Sequence, residues 1–316
     1  MTGVLGEAVR EWFDARNRAW LNGDGADGVW NSVHPAESLD ISRRMAMQKR
    51  RGAVDRKVIS DIRIRIIGRE ARSQENYATV QITEVIRYLY ELDGRLELEQ
   101  RMYRHHQLWR TREHHAAELV ERRQEGEMAP HVTERSLPDW THAALWKNRK
   151  IEHPRYARAR AVRYAELWWD RFNPEYIHFD NDCANFVSQA VFAGGLPMID
   201  TGKKETGWWY HHGNKPDFSY SWTVANALAA TLRSGGDGIR AEIVANPAEL
   251  QDGDIIQYDW NGNGRIQHTT IVTGHDRKGD PLVNAHSLNS RKRHYSYEDS
   301  EAWTPKTRYL LCRLGD

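Results

Sequence analysis

The sequence predicts an α+β fold in two domains, and three features indicate it. Apolar residues recur at helical spacing over residues 4–20 and over about 36–51. Period-two alternation broken by turn residues then runs from Val58 to Trp109, which is typical of antiparallel strands. A charged stretch punctuated by proline precedes a second series of helical and alternating segments that starts at Arg155. We therefore expect an N-terminal domain at 1–125, a linker at 126–150 and a second domain at 151–316.

The composition excludes a disordered chain and gives no indication of a charged partner. The sequence has 45 Lys and Arg against 44 Asp and Glu, a net charge of +1. Hydrophobic residues make up 40% of the chain and Trp occurs 13 times, so a sizeable core can form. We expect neither nucleic acid nor membrane as a partner. The composition does not determine the oligomeric state.

The opening residues, Met1 to Trp12, lack a basic segment followed by an apolar one, and no later run approaches membrane-spanning length. We therefore expect a cytoplasmic protein for the chain as written, and a cell-wall or extracellular one if a leader precedes it. Two cysteines, Cys183 and Cys312, exclude a disulfide framework but leave a single bridge open. Cys312 alternates with leucines and is interpreted as a structural thiol in a strand.

Helices followed by a curved meander of strands make the N-terminal domain resemble a cystatin-like or NTF2-like cone, and its role stays open. Two histidine pairs, His105-His106 and His114-His115, occur near its end. Adjacent residues of a strand point to opposite faces, so a pair cannot easily chelate one ion. We expect these four to be surface histidines.

The second domain is organised around Cys183. Three small polar residues, Asp180 to Asp182, precede apolar residues spaced for one face of a helix, and Gly194-Gly195 ends it. Cys183 then lies in the first turn, where unpaired N–H groups and the helix dipole favour the nucleophilic thiolate. The alternative is a buried structural thiol, since free cysteine is among the most buried residue types.

Histidines on the following strands could complete a catalytic group. Period two places His268 with Ile266, Thr270 and Val272 on one face of a strand, and Asn284 with His286 on one face of the next. Nucleophilic catalysis by cysteine requires an imidazole within hydrogen-bond reach and a third polar group that orients the imidazole. We predict Cys183, then His268, then Asn284 or His286 as the orienting residue.

Aromatic residues follow the Cys183 helix, and Trp208, Trp209 and Trp222 are candidates either for a substrate wall or for the core. A loop from Asp259 to Gly264 copies the start of a calcium-binding loop, but Thr270 stands at the position that requires a bidentate Glu. We expect no metal and no cofactor.

Several segments together resemble the bacterial putative amidase domain family over roughly Arg155 to Asp316. They include Asp182-Cys-Ala-Asn-Phe-Val-Ser-Gln, Ala193-Gly-Gly-Leu-Pro-Met, Gly253-Asp-Ile-Ile-Gln-Tyr-Asp, His268-Thr-Thr-Ile-Val-Thr-Gly and Leu282-Val-Asn-Ala-His. This family is similar to the papain-like cysteine hydrolases and to the NlpC and CHAP cell-wall enzymes. The resemblance implies Cys183 as nucleophile and His268 as general base, with an oxyanion hole at the Cys183 backbone N–H for which Asp182 and Tyr176 are further candidates.

Three functions follow from this set of residues. The first is a cysteine amidohydrolase, and the resemblance implies a peptide or peptidoglycan stem as substrate. The second is an acyl or amide transferase with the same triad, in which an amine replaces water. The third is an inert binding module, although the presence of every catalytic residue type argues against it.

Overall fold

The computed structural model describes residues 2–22, 35–72, 75–111, 117–124, 156–234 and 239–315. It confirms a mixed α+β protein with antiparallel strands. The chain divides into two compact units, Met1–Glu127 with Glu298–Glu301 (unit 1) and Met128–Tyr297 with Ala302–Asp316 (unit 2). The predicted linker at 126–150 and the pair His114-His115 lie outside the described residues.

Unit 1 has two described helices followed by four strands. The helices are α1 (Thr2–Asn22) and α2 (Pro35–Arg51). The strands are β1 (Ala53–Arg72), β2 (Glu75–Leu92), β3 (Arg95–Thr111) and β4 (Glu118–Gln124). Each strand pairs antiparallel with the next one along the chain. One face of α1 packs on this sheet, where Val9 and Phe13 share a core with Val80 and Ile82.

A buried ion pair joins α1 to the sheet. Arg16 donates to both carboxylate oxygens of Glu84, and His105 Nε2 lies 2.9 Å from Glu84 Oε2. Burial alone would raise the pKa of Glu84, but Arg16 and His105 hold it well below its usual range. The expectation that His105 is a surface residue is therefore wrong, because this histidine is fully buried and bound to a carboxylate. His106, on the opposite strand face, is half-buried.

Unit 2 has a helical layer and a sheet. The main helices are α3 (Arg158–Trp168), α4 (Cys183–Ala193), α5 (Tyr220–Thr223) and α6 (Ala225–Ser234). A short hairpin pairs β5 (Tyr210–His211) with β6 (Asp217–Phe218). The remaining strands are β7 (Ala241–Val244), β8 (Ile255–Asp259), β9 (His268–His275), β10 (Pro281–Ala285), β11 (Ser290–His294) and β12 (Arg308–Leu314). A 3₁₀ turn spans Pro247–Glu249.

Six of these strands form the antiparallel order β11-β10-β9-β8-β12-β7. The predicted three-strand meander corresponds to β8, β9 and β10 at its centre. Helices α3, α4 and α6 cover one face, whose core includes Phe186, Ile255 and Ile271. We call it the helix face. The opposite face, the aromatic face, has a second core that includes Tyr258 and Val272.

Both cysteines are free and buried. The single bridge that the sequence left open is therefore not formed, and Cys312 lies in β12 as predicted for a strand thiol. Among the described helices, none combines the length and the apolar content needed to cross a bilayer.

Candidate active site

Cys183 is the first residue of α4, as the capping pattern predicted, and Asp182 is its N-cap. The Asp182 side chain makes no capping hydrogen bond. Its Oδ1 instead accepts hydrogen bonds from the Phe179 backbone N–H at 3.0 Å and from Asn185 Nδ2 at 2.8 Å. The N-terminal amides of α4 are thus left to other partners, and one of them reaches the Cys183 sulfur.

Burial raises the pKa of the Cys183 thiol to about 11. Hydrogen bonds from the backbone N–H groups of Thr269 and Ala184 and from the Ser287 hydroxyl oppose this rise, whereas the Asp182 carboxylate adds to it. The thiol is 6% exposed, so desolvation outweighs the favourable end of the helix. Burial therefore favours the neutral thiol over the thiolate that the helical position predicted.

This pKa gives a testable pH dependence. Alkylation of Cys183 by iodoacetamide should accelerate about tenfold for each pH unit between 7 and 10, because only the thiolate reacts. Mass spectrometry measures the rate, and Cys312, whose pKa burial raises to about 12, is the internal control. A rate that is already maximal near neutral pH would contradict the prediction and indicate a thiolate–imidazolium pair.

Ser287 is a site residue that sequence reasoning did not find. It adopts φ +85°, a left-handed conformation that is rare outside glycine. Its Oγ accepts the Asp182 backbone N–H at 3.2 Å and also reaches the Cys183 sulfur. Strained backbone of this kind concentrates at functional sites. No local sequence signal marks a serine for positive φ, so only its position directly after His286 could have drawn attention to it.

His286 lies on the helix face, beside the helix that carries the nucleophile. Its ring stacks on Phe186 of α4 with centroids 4.1 Å apart. Its Nδ1 lies 2.8 Å from Asp182 Oδ2 and its Nε2 lies 2.7 Å from the Trp168 carbonyl oxygen. Both partners are acceptors, so a ring protonated on both nitrogens donates to both and a neutral ring donates to only one. A carboxylate adjacent to Cys183 in the chain therefore orients this imidazole.

His268 lies on the aromatic face. Its ring centroid is 5.4 Å from those of Tyr258 and Tyr297 and 5.9 Å from that of Trp260. Its buried Nε2 has no hydrogen-bond partner among the described residues. Burial and then the positive charge of Arg293 lower the pKa of His268 to about 3, so its ring is neutral at physiological pH.

Asn284 does not contact His268. Its Oδ1 accepts hydrogen bonds from Thr273 Oγ1 at 2.8 Å and from the Lys292 backbone N–H at 2.9 Å. Its Nδ2 donates to the Ala165 carbonyl at 3.2 Å and to Glu166 Oε1 at 3.1 Å. These four hydrogen bonds connect β10 to β9, β11 and α3, so the Asn284 side chain stabilises the fold.

Strand register explains why His268 and Asn284 do not come together as the predicted catalytic pair. Asn284 is paired directly with Ile271 across β9 and β10, so both lie on the helix face. His268 is separated from Ile271 by an odd number of residues, so it lies on the other face. A register shift between Leu282 and Val283 separates Asn284 from the even-numbered positions of β9. Within the described residues, neither His268 nor His286 bonds to the Cys183 sulfur.

The oxyanion candidates have other partners. The Asp182 backbone N–H donates to Ser287, and its carboxylate can only accept. Tyr176 packs among Tyr210, His212 and Trp222, with ring centroids 5.0, 4.9 and 6.1 Å away. Burial is the largest cause that raises the pKa of the Tyr176 hydroxyl to about 12. Neither side chain has a recorded contact with the Cys183 sulfur other than the electrostatic one of Asp182.

The three tryptophans proposed as a substrate wall belong to the core. Trp208, Trp209 and Trp222 are at most 1% exposed. Their indole N–H groups have internal acceptors, such as Ser188 Oγ for Trp208 and Asn185 Oδ1 for Trp222, both at 3.0 Å. Of the two alternatives that the sequence left open, the structure therefore favours the core.

The described residues contain one group that could hold a metal ion, formed by Asp276, Asp280 and His294 with ligand atoms within 4.8 Å of one another. Asp276 Oδ1 accepts the backbone N–H groups of Lys278 and Asp280 at 2.8 and 3.0 Å. Because the β9–β10 turn accounts for these contacts, the group carries no separate function in our interpretation.

Comparison with known proteins finds a family that matches the part of the chain containing these residues. Residues 155–311 match the family model described as a putative amidase domain, a stretch that contains Cys183, His268 and His286. Amide hydrolysis is the reaction that such a domain suggests.

Two curated relatives come from Bacillus subtilis (strain 168). The uncharacterized protein YhbB is 45% identical over 161 residues, which are 51% of this chain and 51% of YhbB. The uncharacterized protein YjcM is 30% identical over 127 residues, 37% of this chain and 28% of YjcM. The chain thus matches about half of the first relative and less of the second. No solved structure matches the chain, so the cystatin-like, NTF2-like and papain-like resemblances stay predictions.

Proposed function

We propose that unit 2 is a cysteine amidohydrolase with Cys183 as its nucleophile. The observation that carries the proposal is the position of Cys183 as the first residue of α4, next to Asp182, whose backbone N–H bonds Ser287 Oγ. The backbone N–H groups of Thr269 and Ala184 and the Ser287 hydroxyl all act to lower the pKa of its thiol. Donors arranged in this way stabilise a thiolate as it forms, even where burial disfavours it at rest. The match of residues 155–311 to an amidase domain supports the same reaction.

The reaction proceeds through an acyl-enzyme. The thiolate attacks the amide carbonyl carbon, the C–N bond breaks, and the amine leaves with a proton. Water then attacks the thioester, which releases the carboxylic acid and restores the thiol. We assign the proton transfers to His286, because it is the imidazole on the helix face and Asp182 orients it. Both ring nitrogens bond other acceptors in this structure, so the role requires His286 Nε2 to leave the Trp168 carbonyl oxygen and turn to the sulfur when substrate binds.

The substrate in this proposal is an amide of a peptide or of a peptidoglycan stem. This part rests on the resemblance to the amidase family and on its cell-wall relatives alone. A panel of peptides and peptidoglycan fragments, with release of primary amine as the signal, therefore serves as the assay.

Hydrolysis by the Cys183→Ala variant is expected to fall by at least about a thousandfold, since the nucleophile is lost. Cys312→Ala is the matched control and should keep its activity, because Cys312 lies in the core of β12. Intact-mass measurement should show an acyl adduct on Cys183 in the wild type. Full hydrolysis by Cys183→Ala would refute the proposal.

A further inference from the structure

Two buried polar side chains on the helix face have oxygens without partners. Gln257 in β8 and Thr269 in β9 are paired directly across the sheet. Both are 0% exposed, and neither Gln257 Oε1 nor Thr269 Oγ1 has a hydrogen-bond partner among the described residues. Buried oxygens in native proteins nearly always have a partner, so two adjacent exceptions indicate a missing one.

Both side chains lie on the helix face, whose core includes the candidate nucleophile Cys183. The Thr269 backbone N–H is near enough to the Cys183 sulfur to lower the pKa of its thiol. Thr269 is two residues from Ile271, which shares the core of the helix face with Cys183, so the Thr269 side chain points to that face. Gln257, opposite Thr269, lies on the same face.

The orientation of the Gln257 amide fixes what it can bind. Its Nε2 donates to the Ala225 carbonyl oxygen at 3.1 Å, so this end of the amide is occupied. The other end, Oε1, can only accept a hydrogen bond. The Thr269 hydroxyl can donate or accept. An N–H donor, as in an amide that bears hydrogen on nitrogen, would supply the partner that Gln257 Oε1 lacks, and Thr269 Oγ1 can accept from the same group.

We propose that Gln257 and Thr269 form the subsite that binds the amide N–H of the substrate next to the carbonyl that Cys183 attacks. The inference rests on the proposed function and narrows its substrate class to primary and secondary amides. Gln257 and Thr269 act as positioning residues, since they hold the amide without taking part in bond formation.

Alkylation of Cys183 tests the subsite without a known substrate. The probes are iodoacetamide, which carries amide hydrogens, and 2-iodo-N,N-dimethylacetamide, which has none. The measured quantity is the ratio of their alkylation rates at Cys183, corrected by the same ratio for free glutathione. Because both rates are taken at one pH, the thiolate fraction cancels.

We expect a corrected ratio of about ten in the wild type, the effect of one hydrogen bond. Gln257→Met and Thr269→Val, which remove the hydrogen-bonding atoms at similar volume, should each bring the ratio toward one. Thr269→Val leaves the Gln257–Ala225 bond intact and serves if Gln257→Met does not fold. The matched control is Thr270→Val. The Thr270 hydroxyl bonds Tyr258 on the aromatic face, so its removal should leave the ratio unchanged.

A wild-type ratio near one would overturn the inference. So would a ratio that persists in Gln257→Met and Thr269→Val, or one that Thr270→Val abolishes equally. The two failures are distinguishable: loss of the ratio with Cys183-dependent amidase activity retained refutes only the subsite. Hydrolysis by Cys183→Ala refutes the proposed function and with it the role of the subsite in catalysis, whatever the ratio.

Discussion

Replacement of His286 by Gln is expected to lower kcat/KM for amide hydrolysis by about 10² to 10⁴, the usual contribution of a general acid–base residue. Asp182 orients His286, which stacks on Phe186 of α4, and we assigned the proton transfers to it for this reason. Kinetics on the substrate identified in the peptide panel would measure the loss.

His268→Gln is the matched control for this experiment. His268 faces Tyr258 and Tyr297 on the other side of the sheet, so its loss should change kcat/KM by less than about tenfold. Thermal unfolding of both variants separates loss of chemistry from loss of fold. The reverse result, an inactive His268→Gln and an active His286→Gln, would show that the base is the residue predicted from the sequence and that β9 rearranges when substrate binds.

The second large effect concerns stability in acid. Burial lowers the pKa of His268 from 6.5 to about 3, so the unfolded chain binds a proton between these pH values and the folded chain does not. The free energy of unfolding should therefore not depend on this histidine above pH 6.5, and it should decrease as the pH falls from 6.5 toward 3. The slope from this one group approaches about 1.4 kcal/mol per pH unit.

His268→Phe should flatten that slope and make the protein more stable than the wild type near pH 5. Phenylalanine suits the surrounding aromatic rings and removes the unpaired Nε2. Urea unfolding of both proteins from pH 5 to 8 measures the difference, in which the titration of carboxylates cancels. His212→Phe, at an exposed histidine, is the control. Parallel slopes for the wild type and His268→Phe would contradict the assigned environment.

Local features of the candidate site were predictable from the sequence because they depend on neighbouring residues. The polar run before Cys183 and the apolar spacing after it predicted a helix that begins at the cysteine, and α4 does begin there. Period two predicted the strands that became β8, β9 and β10. The motif around Cys183 also pointed to the amidase class that the family model matches.

Only the tertiary structure determines which of the candidate site residues contact one another. A register shift between Leu282 and Val283 sets Asn284 and His268 on opposite faces, and no residue pattern within one strand reveals its register with the next. Burial likewise depends on packing, and it raises the pKa of the Cys183 thiol in spite of the position of Cys183 at a helix N-terminus. Gln257 and Thr269 became candidates only when pairing of β8 with β9 set them opposite each other on the helix face, since contacts between distant segments are set by the folded chain.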